Sequence, residues 1–177
     1  MDRRILLTLI GSAGAALPAF AQNAATGGAA PAGPAGGPMG KAEADHAART
    51  GMAGAASLKV ADIGLEKASN ARVKQFAQFE HDEQTTVAAI LASMDPSLKP
   101  MPDPKMEPTI ERLSKMKAGK AFDAFIEAQT EGHGQLLAIQ EDYLKIGRDR
   151  ETVNATKLVR GMVKEHLALL ADLKKIA

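Results

Sequence analysis

Three long stretches of this chain repeat apolar residues with the period of an α-helix, and no stretch alternates with period two for long enough to make a strand. Val73, Phe76, Ala77, Val87, Leu91 and Met94 fall on one stripe. Phe122, Phe125, Ile126, Leu136, Leu137, Tyr143 and Leu144 fall on a second, and Val159, Met162, Val163, Leu170 and Leu173 on a third. The spacing predicts helices over about 71–94, 118–146 and 149–176. A further helix is expected over 42–68, weakest at residues 51–54, where Gly51 and Gly54 stand. Ser69-Asn70 reads as a capping pair, Asp149 as a second cap, and Gly147 as a helix stop. A connection studded with Pro96, Pro100, Pro102, Pro104 and Pro108 separates the second and third long helices, with a short helix expected over 109–116. Long helices joined partly by short loops bury their stripes most economically as an antiparallel four-helix bundle, so the fold class is all-α over residues 41–177.

The first forty residues are of another kind. Residues 1–21 read as a signal peptide: Arg3 and Arg4 charge its start, an apolar run follows to Phe20, and Ala19-Phe20-Ala21 offers a small-x-small cleavage site. The paired arginines also permit twin-arginine export. The run is shorter than the roughly 20 residues of a spanning helix, so no transmembrane anchor is expected after processing. Residues 22–40 contain six Ala, six Gly and three Pro, too little apolar area to offset ordering entropy, and read as a disordered tether. The expected location is therefore periplasmic. No cysteine is present, so stability rests on packing without disulfides. Beyond residue 21 the charges balance at 20 basic and 20 acidic, and there is no Trp. A neutral chain poor in aromatic residues argues against nucleic-acid binding.

Polar residues that interrupt the apolar stripes are the candidates for chemistry. Glu80 and Gln84 lie inside the second helix's stripe, Gln129, His133 and Gln140 inside the third's, and His166 near the middle of the fourth's. Glu80, His133 and His166 fall near their helix midpoints, which share one layer in an antiparallel bundle. Asp62 and Glu66 are the nearest acidic candidates on the first helix. Three readings stand: a satisfied hydrogen-bond network, a single transition metal held by Glu80, His133 and His166, or no shared cluster. The usual di-iron pattern of Glu-x-x-His is absent, since Gln78, Thr130 and Val163 precede His81, His133 and His166 by three. His81 is expected in a polar collar at the surface, and His46 in solvent. No nucleophile elbow or phosphate-cradling glycine loop is present.

The segment Ala68-Ser69-Asn70-Ala71-Arg72-Val73-Lys74-Gln75-Phe76-Ala77-Gln78 resembles the start of the second helix in a widespread exported bacterial family of unknown function. Ala121-Phe122-Asp123-Ala124-Phe125-Ile126 with Glu131-Gly132-His133 resembles its third helix, and Lys164-Glu165-His166-Leu167 its last. Members are often labelled outer membrane proteins and are placed with the ferritin-like bundles. The resemblance implies a ferritin-like fold and an exported location, and no particular reaction. This chain has Ser57 and Lys59 where the family commonly has acidic residues, and Asp82-Glu83-Gln84 where it commonly has an Asp-Asp-His-like triplet. An outer-membrane barrel would need many strands, and these segments are helical. The expectation is a non-enzymatic envelope or stress-related protein acting through an envelope partner; the alternative is a metal-binding ferritin-like protein.

Overall fold

The computed structural model describes residues 39–119 and 122–175. The signal-peptide and tether assignments fall on residues 1–38, outside the described residues, apart from Met39 and Gly40 at the tether's end.

The described chain is all-α. It contains α1 (Lys41–Lys67), α2 (Ala71–Met94), a 3-10 turn (Pro104–Met106), α3 (Glu107–Lys115), α4 (Phe122–Ile146) and α5 (Arg150–Lys174). No strand occurs among the described residues, and none of their helices is long and apolar enough to cross a membrane. α1 packs along both α2 and α4, and α4 packs along α5, whereas α2 and α5 touch sparsely. The main apolar cluster lies where α1, α2, α4 and α5 meet, around Val60, Val73, Phe76, Phe125, Ile126 and Leu170, with Leu113 of α3 added from the side.

The caps follow the sequence. Asn70 accepts the amides of Arg72 and Val73 through its side chain, and Asp149 accepts that of Thr152, satisfying amides that a helix start leaves unpaired. Gly147 departs from expectation. It lacks the left-handed conformation of a glycine cap, and instead lies so close to the Tyr143 ring that a Cβ would stand 2.4 Å from it. Among the described residues the left-handed glycine is Gly119, φ 83°, in the turn before α4, and its amide donates to the Lys67 carbonyl. That turn delays the start of α4 to Phe122, four residues beyond the expected 118.

α1 runs unbroken through residues 51–54, where a weak point was expected. Its glycines are sites of close approach. A Cβ on Gly51 would stand 2.8 Å from Pro100, one on Gly54 2.5 Å from the Gln84 side chain, and one on Gly64 2.3 Å from the Phe125 ring. The loop after α2 therefore lies directly on α1, held also by the Asp103 amide donating to the Met52 carbonyl.

Candidate metal centre

Each of the four long helices sends polar side chains into the interior, and these fall into two sets. The first contains the three residues expected from sequence. Glu80 of α2, His133 of α4 and His166 of α5 are buried, with exposures of 0, 0 and 5%. Glu80 Oε2 lies 3.0 Å from His133 Nε2 and 2.8 Å from His166 Nδ1, and the two nitrogens lie 3.0 Å apart. Three donor atoms thus form one small triangle.

The neighbours fix what each atom carries. His133 Nδ1–H donates to the Gln129 carbonyl at 2.7 Å, which turns Nε2 toward the triangle. His166 Nδ1 likewise turns toward Glu80 Oε2, so one carboxylate oxygen is the shared partner of both rings. The other nitrogen of His166 reaches Glu83 Oε2 at 3.3 Å. Ser57 of α1 stands 2.6 Å from Glu80 Oε1 and 2.7 Å from Gln129 Oε1, one hydroxyl proton facing two acceptors. Phe76 packs against both imidazoles, its centroid 6.1 Å from His133 and 5.1 Å from His166, and closes one side with apolar surface.

The electrostatics follow from this crowding. Burial pushes the Glu80 carboxyl up, but hydrogen bonds from His133 and His166 more than offset it and hold the group below the usual carboxylate range. Burial pushes His166 down, yet Glu80 and Glu83 raise it above its ordinary value. Glu83 is itself raised, first by burial and also by the Glu80 charge.

The second set was missed from sequence. His46, expected in solvent, is buried at 8% exposure and stacked on Tyr143 with centroids 4.2 Å apart. Its Nε2–H donates to Gln140 Oε1 at 2.9 Å, and the Gln140 amide donates to Thr50 Oγ1 at 3.1 Å. Glu43, also buried, accepts from the Tyr143 hydroxyl at 3.0 Å. Its own backbone amide, then Tyr143, holds the Glu43 carboxyl below its usual range. Burial, reinforced by Glu43, pushes the Tyr143 hydroxyl up to about 12. Burial lowers His46.

The remaining candidates separate as follows. Gln129 belongs to the first set and Gln140 to the second. Gln84 is buried against Gly54, with its Oε1 lacking a partner. Asp62 and Glu66 face outward, contrary to the expectation that they would serve the cluster from α1. Asp62 pairs with His81 at 2.9 Å in a half-exposed contact, which fits the polar collar expected for His81. Ser57 takes the place on α1 expected of an acidic residue. Its signal was present: Glu43, Thr50, Ser57 and Gly64 recur every seven residues along the buried seam of α1.

Fold and geometry together define a class: helical proteins that enclose a carboxylate–bis-imidazole cluster between helices. The chain belongs to the family described as Domain of unknown function (DUF4142), whose model matches residues 16–173. No curated protein and no solved structure matches it.

Proposed function

We propose that this chain is a metal-binding protein with a ferritin-like, antiparallel four-helix arrangement, acting in the periplasm after export. The observation that carries the reading is the triangle itself, with donor atoms 2.8–3.0 Å apart on Glu80, His133 and His166. A tetrahedral ion bound at about 2.0–2.1 Å holds its ligand atoms roughly 3.3 Å apart, so a few tenths of an ångström of outward movement admits one. Two imidazoles and a carboxylate form the donor set of catalytic zinc and non-haem iron(II) centres. A bound ion would supply Lewis-acid or redox chemistry. The residues around the donors have the orienting role that such sites need: the Gln129 carbonyl fixes the His133 tautomer, and Ser57 holds the second oxygen of Glu80. Export is supported by the charged start, apolar run and small-x-small site of residues 1–21.

The test is elemental analysis of protein purified without chelator, repeated on His133→Ala and His166→Ala. One transition metal per chain, lost in both variants, is the expected result. No metal in the wild type, with both variants less stable, would make the triangle a structural hydrogen-bond network. The reading would then pass to an envelope protein acting through a protein partner.

A further inference from the structure

Where α2 and α5 face each other with few contacts they leave an apolar cavity of about 310 Å³, walled by Val87 and Leu91 from α2 and by Val159 and Met162 from α5. Ile90 and Leu158 also line it, and both are exposed, so the cavity opens to the surface. Further along the same pair of helices, Phe79 of α2 and Leu169 of α5 line a second, smaller recess. Six large apolar side chains are exposed among the described residues: these four, Met101 and Ile146. Most of the exposed apolar bulk is therefore gathered along one groove, and gathered surface of this kind marks an interaction site where scattered residues would not.

The spacing gives the shape of an occupant. Eleven residues separate Phe79 from Ile90, and eleven separate Leu158 from Leu169. Eleven residues make about three helical turns, so the two apolar pairs stand on one face, roughly 16 Å apart along the groove. A groove between two helices with anchors at that period suits an amphipathic helix laid into it.

Charge gives the occupant's chemistry. Asp82 and Glu83 border the cavity, and no Lys or Arg lines it. Among the described residues the Glu83 carboxylate meets only His166, and that of Asp82 only the Gln78 amide. Arg160 and Lys164 of α5 turn instead to Glu141 of α4, and Arg72 lines only the far recess. A second copy presenting this same face would bring like charge to it, whereas a basic partner is complementary.

We infer that the α2–α5 groove docks one basic amphipathic helix of a partner protein, its apolar stripe along Phe79, Ile90, Leu158 and Leu169 and its Lys or Arg side chains over Asp82 and Glu83. The site needs no metal at the Glu80 cluster. The purified protein, kept in chelator, is titrated by fluorescence anisotropy with a labelled Leu/Lys amphipathic peptide of about 18 residues, roughly 27 Å long as a helix. A Leu/Glu peptide of the same pattern and a scrambled Leu/Lys peptide are the comparisons. The Leu/Lys peptide is expected to bind one per chain, about tenfold or more tightly than either. Ile90→Asp and Leu158→Asp change exposed positions, so both are expected to stay folded by circular dichroism and to weaken binding about tenfold. Asp82→Lys is expected to weaken it by a few fold, the scale of an exposed ion pair, and Ile146→Asp, outside the groove, to leave it unchanged. The inference is overturned if no peptide binds, if the Leu/Glu or scrambled peptide matches the Leu/Lys one, or if Ile146→Asp weakens binding as much as Ile90→Asp. It is also overturned if the free protein is a dimer that Ile90→Asp splits, which would give the face to a second copy. Anionic vesicles that displace the peptide in the wild type, and bind more weakly to Ile90→Asp, would overturn it in favour of a lipid surface.

Discussion

The two buried polar sets share helices α1 and α4 and obey the same rule of satisfaction, yet they solve it in opposite ways. Around Glu43, His46, Thr50, Gln140 and Tyr143, donors and acceptors alternate, and one buried atom, His46 Nδ1, is left over. Around Glu80, His133 and His166, three acceptor-capable atoms point at one another. Alternation yields a hydrogen-bond network. Convergence yields a place for a cation, because lone pairs crowded in low dielectric repel unless a positive charge lies among them. Burial alone does not separate a structural polar layer from a candidate site; the direction of the lone pairs does.

The comparison can be broken most forcefully at its two carboxylates. Glu80→Ala strands two buried imidazoles and is expected to cost about 3–5 kcal/mol in denaturant unfolding. Glu43→Ala, which leaves a Tyr hydroxyl and peripheral amides, is expected to cost about 1–3 kcal/mol. Equal losses would show that convergence does not distinguish the two sets. Added zinc or iron(II) is next in size. At one hundred times its dissociation constant an ion stabilises the fold by about 2.7 kcal/mol. Thermal unfolding should show that gain in the wild type and in Gln140→Leu, and not in His133→Ala. Hydroxyl deletions give a smaller contrast. Ser57→Ala leaves Glu80 Oε1 without its donor and should cost about 1–3 kcal/mol, against about 0.5–1.5 kcal/mol for Thr50→Ala.

The smallest effect is in pH. His46 is faced by Glu43 and Arg49 of its own helix, by Tyr143 of α4, and across the cavity by Asp82 and Glu83 of α2. Its folded pKa lies below the ordinary 6.5, so the unfolded chain takes up the proton first. Stability from this group is present above about pH 6.5 and is lost as pH falls below it. Glu43, lowered from 4.5, adds a second loss as pH falls through its folded value. His46→Phe should reduce the loss of unfolding midpoint as pH falls below about 6.5, leaving the dependence that comes from Glu43 and from the Glu80–His166 pair; an unchanged slope would remove His46 from the account.

Legibility in the sequence followed contrast. Glu80, His133 and His166 could be read because each interrupts a stripe of large apolar residues. α1 offered no such background. Its inward seam is built from Ala47, Ala53, Gly54, Ala56 and Gly64, so Glu43, His46, Thr50 and Ser57 did not stand out, and the outward Asp62 and Glu66 looked equally eligible. The helices themselves were legible from period and caps. The late start of α4 was not, because it depends on the Gly119 turn bonding back to Lys67, a contact between distant parts of the chain. The cavity was hidden for a related reason, since it arises from the spacing of two helices.

The sparse contact between α2 and α5 gives the Glu80 triangle a mechanical meaning. α1 and α2 form one packed pair and α4 and α5 another, joined chiefly along α1 and α4. Both histidines belong to the second pair, while Glu80 and Ser57 belong to the first. The cluster therefore spans the gap opposite that seam, where apolar packing holds least. It works as a clasp: whatever occupies the triangle, proton or ion, sets how firmly the two pairs stay shut, and the strength of that closure is tunable at a single point.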